Sequence, residues 1–284
     1  MGGRADLHTH STASDGTVEP AAVVAAAVAA GLQAVALTDH DTLAGLPAAQ
    51  TAAGRLGIEL VPGAELSCRT PGAITLHLLA YWPDPTDPDL LAEMALSRDD
   101  RVPRAREMVR RLAADGYRVS FEELLEQTGS DDATLGRPHV ARLLVARGHA
   151  TSMDDAFDRL LGPGSPYYVP HHGTDPVAAV RLVREAGGAP AFAHPFAAAR
   201  GPVVDDEVVE AMAEAGLVGI EVDHPDHDPG QQAHAARLAA SLGLLPLGSS
   251  DFHGANRPQR IGAATTPLEV LVQLRERRAV RPTA

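Results

Sequence analysis

Apolar residues along most of the chain gather in short runs, each closed by a polar cluster and followed by a longer segment with helical spacing. Residues 4–8, 33–38, 58–66, 74–81, 189–193, 218–222 and 244–249 are rich in Ala, Val, Leu and Ile and predict strands. Residues 20–31, 43–56, 176–186, 206–215 and 231–242 predict helices. Pro20 suits a first helical turn, Thr17 is the expected cap, and Gly31 and Gly57 close the first two helices. Repeated strand–helix units predict a mostly parallel sheet, open or closed into a barrel.

The rhythm breaks after the Asp-Pro-Thr-Asp-Pro punctuation at 84–88. Helical runs then follow one another over 90–114, 121–127, 138–147 and 153–161, with Gly and Asp turns between them and no strand pattern. The expected organisation is an α/β barrel built from residues 1–89 and 167–284, with a small all-helical insertion at 90–166. Tyr81, Trp82, Tyr167 and Tyr168 flank that insertion, as candidates for stacking on a base or for filling the hinge.

Composition narrows the class. A chain of 284 residues with 45% apolar content has enough to build a sizeable core and is no disordered tail. No stretch approaches the roughly 18 consecutive apolar residues of a membrane span. The polar opening has no basic n-region, so no signal peptide is expected, and the default is a soluble cytoplasmic protein. A single cysteine, Cys68, excludes an internal disulfide and a thiolate zinc cluster, and it reads as buried filler. The net charge of −13 argues against passive nucleic-acid binding. That charge is uneven: residues 97–166 hold 11 Arg against 12 acidic residues, the remainder 13 against 25. There is no lysine, so every fixed positive charge is a guanidinium, the better bidentate partner for phosphate.

The 13 histidines carry the chemistry through their positions. Each predicted strand ends in a polar cluster: Asp6-Leu7-His8-Thr9-His10 with Ser14-Asp15-Gly16, then Thr38-Asp39-His40-Asp41, then Glu65. His77, His194, Glu221-Val222-Asp223-His224 and Asp251-Phe252-His253 follow. Loops at the carboxyl ends of parallel strands build one face, so these clusters converge. Residues two apart on a strand share a face, so His8 and His10 reach one ion, and Asp251 and His253 repeat that spacing. Imidazoles and carboxylates without thiolate suit Zn²⁺, Mn²⁺ or Fe²⁺. There are too many ligands for one tetrahedral ion, so two or three divalent ions are expected. Water shared by such ions loses a proton near neutral pH and serves as a hydroxide nucleophile. Asp39 reads as a residue that orients a histidine rather than a ligand. His149, His171, His172, His227 and His234, each standing alone, read as surface or capping residues.

The motifs at 6–10 and 14–17, Leu-Thr-Asp-His-Asp-Thr at 37–42, Gly-Ala-Glu-Leu-Ser at 63–67, Phe-Ala-His-Pro at 192–195 and Gly-Ser-Ser-Asp-Phe-His-Gly at 248–254 together resemble the PHP (polymerase and histidinol phosphatase) family. The resemblance implies a distorted seven-stranded βα barrel with a trinuclear metal site at its C-terminal face. It assigns His8, His10, Glu65 and Asp251 to one ion. A second shares Glu65 and adds His77 and His194, and a third takes Asp15, His40 and His253. Gly-Arg-Pro-His-Val-Ala-Arg at 136–142 and Gly-Ile-Glu-Val-Asp-His-Pro-Asp-His at 219–227 look like the subgroup that hydrolyses nucleotide phosphates. That subgroup removes the 3′-phosphate of nucleoside 3′,5′-bisphosphates and trims short RNA from its 5′ end.

The expected function is therefore metal-dependent hydrolysis of phosphate monoesters, on a nucleotide or short oligonucleotide, with no stable nucleic-acid complex and no membrane. Arg137 would clamp a phosphate, while His139 and His224 would bind the substrate, either of them able to protonate the leaving oxygen. Histidinol phosphate is a second substrate reading, opposed by Asp15, which stands where some family phosphatases carry His. A non-catalytic regulatory or polymerase-associated metal module is a reading of another class, opposed by the nearly complete ligand set.

Overall fold

The computed structural model describes residues 3–128, 135–170 and 172–279. The chain divides into two compact units, Met1–Met94 with Gly173–Ala284, and Ala95–His172.

In the first unit, β1 (Arg4–Asp6), β2 (Ala34–Leu37), β3 (Glu59–Arg69), β4 (Thr75–Tyr81), β5 (Ala189–Ala193), β6 (Gly219–Asp223), β7 (Leu245–Gly248) and β8 (Thr266–Pro267) form one mixed sheet among the described residues, in the order β7-β6-β5-β4-β3-β2-β1-β8. The sheet curls into a nearly closed barrel. Its ends meet where Gly248 N–H donates to Thr266 Oγ1 (2.9 Å) and that hydroxyl donates back to Gly248 C=O (2.8 Å). Gly248 is required at this seam, because a Cβ there would lie 2.5 Å from the carbonyl oxygen of Thr265. Seven strands match the predicted runs. The eighth, two residues long, is too short to leave a pattern.

The sheet is less parallel than strand–helix alternation implies. β4 runs antiparallel to both β3 and β5, while β1/β2, β2/β3, β5/β6 and β6/β7 are parallel. β3 and β4 are joined by a short turn rather than by a crossover helix, and a hairpin connection forces reversal. The start of β4 therefore lies at the end of the barrel where its antiparallel neighbours β3 and β5 finish. That is why His77, near the beginning of its strand, still reaches the clusters that close the others.

Helices α1 (Pro20–Ala29) and α2 (Leu46–Leu56) cover one flank, packing Val23, Val24, Ala27, Ala49, Ala52 and Ala53 against Val35, Leu37 and Leu60 of the sheet. Thr17 does not cap α1. The cap position is Glu19, without a side-chain bond, and the Thr17 hydroxyl instead accepts from Ala255 N and donates to His253 C=O, pinning the last loop. In chain order, α3 (Pro88–Ala114) comes next and leads into the second unit, with α4 (Phe121–Thr128), α5 (Arg137–Ala146) and α6 (Met153–Ala156). The run predicted as one helix over 153–161 changes to a wider π-helical turn at Phe157–Leu161. This unit has a core of its own, including Met108, Leu112, Leu124, Leu144 and Leu161.

α7 (Pro176–Glu185), α8 (Asp206–Glu214), α9 (Pro229–Leu242) and α10 (Leu268–Glu276) complete the first unit. α9 starts two residues before its predicted onset, where Asp228 and Gln231 form a reciprocal capping box. Tyr81 is fully buried and donates its hydroxyl to Leu7 C=O, so it packs the barrel and is not available to stack on a base. Among the described residues no helix is long and apolar enough to cross a membrane.

Candidate metal centre

The centre is assembled at the strand ends of the first unit. Beyond β1 the chain stays extended, with Thr9 bridging Phe252, and His8 and His10 fall on one face as the two-residue period requires. Their Nε2 atoms are 3.0 Å apart. Each lies 3.0 Å from Glu65 Oε2 and 3.3 Å from Asp251 Oδ1. Glu65 is the hub. Its Oε2 also lies 3.2 Å from His40 Nδ1, and its Oε1 lies 2.9 Å from His77 Nδ1 and 3.1 Å from His194 Nε2. His77 Nδ1 and His194 Nε2 are 3.4 Å apart. Asp15 places Oδ1 at 3.2 Å from His253 Nε2 and 3.8 Å from His10 Nδ1, and Oδ2 at 3.9 Å from His40 Nε2. Gly16 permits that turn, since a Cβ there would lie 2.8 Å from the backbone of His10.

Three groups of ligand atoms emerge, each mutually within 4.8 Å: His8, His10, Glu65 and Asp251; His10, Asp15, His40 and His253; and His40, Glu65 and His77. His194 joins the last through Glu65 and His77. All nine residues expected as ligands are thus brought together.

The donor set fits cations better than it fits itself. Asp15 Oδ1, His40 Nδ1, Glu65 Oε2 and Asp251 Oδ1 are buried with no hydrogen-bond partner, although imidazole nitrogens surround them. The nitrogens and oxygens converge on common points instead of lining up donor to acceptor. A tetrahedral ion with bonds of roughly 2.1 Å needs ligand atoms about 3.4 Å apart. The contacts of 3.0–3.3 Å among His8, His10, Glu65 and Asp251 come close to that spacing.

Electrostatics separates the imidazoles. Burial disfavours charge on His8, His10, His40 and His194. At His10 the carboxylates Asp251 and Glu65 outweigh it, raising the pKa to about 9, and at His8 Glu65, Asp251 and Glu221 do the same. At His40 burial prevails over Glu65 and Asp15, and at His194 burial, reinforced by Arg200, brings the pKa to about 3. Glu65 and Asp251 stay ionised despite burial, because imidazoles surround both and Arg257 and Arg200 also face Asp251. Two residues of the cage hold left-handed backbone, His194 (φ 31°) and Asp251 (φ 52°), a conformation that non-glycine residues tolerate at some cost in strain.

Supporting residues surround the cage, and of these only Asp39 has a role read from the sequence. Glu221, wholly buried on β6, lies 3.0 Å from His8 Nδ1 and accepts from His194 N–H at 2.6 Å, so one carboxylate orients two ligands. Its signal was a carboxylate between the apolar residues Ile220 and Val222 of the strand. Ser249 donates to the same oxygen of Glu221. Asp39 holds Ser11 N–H, Ser11 Oγ and Ser14 Oγ, and it reaches His10 only through Ser14, whose hydroxyl is 3.5 Å from His10 Nδ1. Asp6 lies outside the cluster. Burial pushes its pKa up to about 6, and it ties Ser250 and Gly262 to β1.

His224 lies beside the ligands, its Nε2 3.8 Å from Asp251 Oδ2. Arg137 and His139 belong to the second unit. The Arg137 guanidinium lies over the rings of Phe157 and Tyr168 and donates to Leu161 C=O (3.4 Å), while His139 Nδ1 accepts from Gly136 N–H (3.0 Å). His171 lies outside the described residues. His227 bridges Val222 C=O and Phe196 N–H, and His149 accepts from Arg118 N–H.

The model of the PHP domain matches residues 6–161. A 3′,5′-nucleoside bisphosphate phosphatase from Chromobacterium violaceum is 35% identical over 248 residues, which cover 87% of this chain and 86% of that one. A 5′-3′ exoribonuclease from Haemophilus influenzae is 34% identical over 87% of this chain and 89% of its own. A crystal structure from Bifidobacterium adolescentis, assigned to the metal-dependent phosphoesterases, superposes with a TM-score of 0.91 at 32% identity, covering 98% of this chain and 97% of that one. With a barrel of that shape and a buried cage of imidazoles and carboxylates suited to divalent ions, the chain belongs to the PHP family and is a metal-dependent phosphoesterase.

Proposed function

We infer that the protein acts in the cytoplasm on nucleotide phosphates, foremost a nucleoside 3′,5′-bisphosphate hydrolysed at a phosphate monoester, and next short RNA hydrolysed from its 5′ end at a phosphodiester. The observation that carries the metal part is the convergence of five imidazole nitrogens on the two oxygens of Glu65, with buried carboxylate oxygens left without hydrogen bonds. The nucleotide part is supported by the two relatives, whose names give those substrates.

His8, His10, Glu65 and Asp251 would hold one ion, Glu65, His77 and His194 a second, and Asp15, His40 and His253 a third, with Mn²⁺, Zn²⁺ and Fe²⁺ all compatible with this mixture of donors. Such ions supply Lewis-acid stabilisation of a phosphate's developing charge and acidify water. Glu221 keeps the His8 ring turned with Nε2 toward Glu65. His224 accepts Asp226 N–H at Nδ1, which puts its proton on Nε2, and burial holds its pKa down at about 4. It is then a neutral donor at a buried atom beside Asp251, suited to hydrogen-bond a phosphate or leaving oxygen rather than to act as a charged acid. Arg137 and His139 are carried as substrate residues by the resemblance of their motif alone, Arg137 because its fork would match two phosphate oxygens.

The purified protein with Mn²⁺ should release phosphate from adenosine 3′,5′-bisphosphate, and His10→Ala should abolish the release. Equal rates for the two proteins reject the metal reading. Faster release from histidinol phosphate overturns the choice of substrate.

A further inference from the structure

Three loops of the barrel unit carry an ion-pair ring whose two arginines, Arg200 and Arg257, lie outside the motifs. Arg200 ends the short turn Ala198–Arg200 after β5, Asp226 follows β6, and Arg257 follows β7. Arg200 Nε and NH2 both reach Asp226 Oδ2, at 2.6 and 2.5 Å, and NH2 also donates to Asp251 Oδ2 at 2.6 Å. Arg257 NH1 bridges the same two oxygens, 3.3 Å from Asp226 Oδ2 and 3.2 Å from Asp251 Oδ2. Gln259 Nε2 closes on Asp226 Oδ1 at 3.3 Å. The two guanidiniums and two carboxylates alternate in sign around the ring. Asp226 thereby offsets the repulsion between two neighbouring arginines that Asp251 alone would face.

The ring matters because of what Asp251 does with its other oxygen. Oδ1 points at His8 and His10 and has no hydrogen bond, whereas Oδ2 is saturated by the two arginines. A carboxylate left free can turn, bind through either oxygen, or bind through both. Short charge-assisted bonds to one oxygen remove that freedom and leave the other as the single outward donor. The side chain stands on strained backbone and is almost wholly buried, so it has no solvent to compensate for a lost partner.

We propose that Arg200, with Asp226 and Arg257, is a positioning residue that dedicates Asp251 Oδ1 to the ion held by His8, His10 and Glu65. This rests on the reading of Asp251 as a ligand. Arg200 touches no other residue of that ligand group and does not enter the chemistry itself.

The test measures Mn²⁺ and Zn²⁺ affinity by competition with a chromogenic chelator, alongside thermal melting of the metal-free protein and the split between kcat and KM. Arg200→Gln should weaken one ion 10- to 100-fold, the usual scale for losing a supporting contact. It should lower kcat at limiting Mn²⁺ with KM unchanged, and excess Mn²⁺ should restore much of the loss. Asp226→Asn should act in the same direction and more weakly, and Arg200→Lys should recover part of the affinity. Wild-type affinity for every ion in Arg200→Gln, or in Asp226→Asn if Arg200→Gln does not fold, overturns the proposal, as does a lowered melting temperature with affinity unchanged. An Asp251→Asn protein that binds every ion normally instead overturns the ligand assignment beneath it.

Discussion

Glu65→Gln is the sharpest perturbation of the centre, because the two oxygens of this residue serve different partners. Oε2 faces His8, His10 and His40, and Oε1 faces His77 and His194. Glutamine keeps the shape but offers one carbonyl oxygen and one NH₂ group. An amide nitrogen that carries two hydrogens has no lone pair for a cation, so whichever way the amide turns, one set loses its oxygen ligand. The other set exchanges an anion for a weaker neutral donor. At least one ion should therefore be lost from the purified protein, and phosphate release should fall by about a thousandfold or more, equivalent to ~4 kcal/mol of transition-state stabilisation at 1.36 kcal/mol per decade. The assays are metal content by mass spectrometry and steady-state phosphate release with saturating Mn²⁺, with circular dichroism to verify the fold. A Glu65→Gln protein with the full metal complement and kcat within threefold of wild type would refute the idea that Glu65 bridges the ions.

Four further outcomes follow from the same geometry. Without metal, the surrounding carboxylates hold His8 and His10 above the ordinary imidazole range, His10 at about 9, so this pair, with Nε2 atoms 3.0 Å apart, keeps a proton at pH 7 that a cation must displace. Mn²⁺ binding should release protons and tighten as pH rises toward 9, which calorimetry in two buffers of different ionisation heat measures; binding without proton release at pH 7 contradicts it. Because the folded pKa of His10 lies above the unfolded value of 6.5, its stabilisation of the metal-free protein is complete below pH 6.5 and disappears as pH climbs through 9. Glu221→Gln should loosen the His8 ring and weaken metal binding 10- to 100-fold in chelator competition, with unchanged affinity as the contrary result. Arg137→Ala should lower kcat/KM by about 1–3 kcal/mol equivalent while metal content stays intact, the scale for a hydrogen bond to a charged group, and full retention of kcat/KM removes Arg137 from the substrate site.

Much of the barrel was legible because its strands are short apolar runs punctuated by polar clusters, and the period-2 rule placed His8 and His10 on one face before any coordinates. What escaped was set by partners distant in sequence. Nothing local marks Thr266–Pro267 as a strand, since two residues carry no periodicity; they pair because β1 and Gly248 come to them. The reversal of β4 was hidden for a related reason, as an apolar run reads alike in either direction and only the short link from β3 dictates that it turns back. Thr17 was misplaced as a cap because a hydroxyl near a helix start satisfies the local rule, while the loop that claims it lies more than two hundred residues away.

The site divides along the same line. Ligands announce themselves, since histidines at strand ends have little other use in such numbers. Supporting residues do not, because Glu221, Arg200, Asp226 and Arg257 are ordinary charged residues until the fold brings them against His8 and Asp251. Yet they are what makes a cage of this density possible. Gathering nine imidazoles and carboxylates close to each other leaves several atoms with no hydrogen-bond partner and two candidate ligands on strained backbone, His194 and Asp251. Each of those strained ligands is gripped from outside, His194 through its N–H by Glu221 and Asp251 through Oδ2 by the two arginines. The restraint therefore falls on the two ligands whose backbone conformation is least favourable by itself, as preorganisation for cations requires.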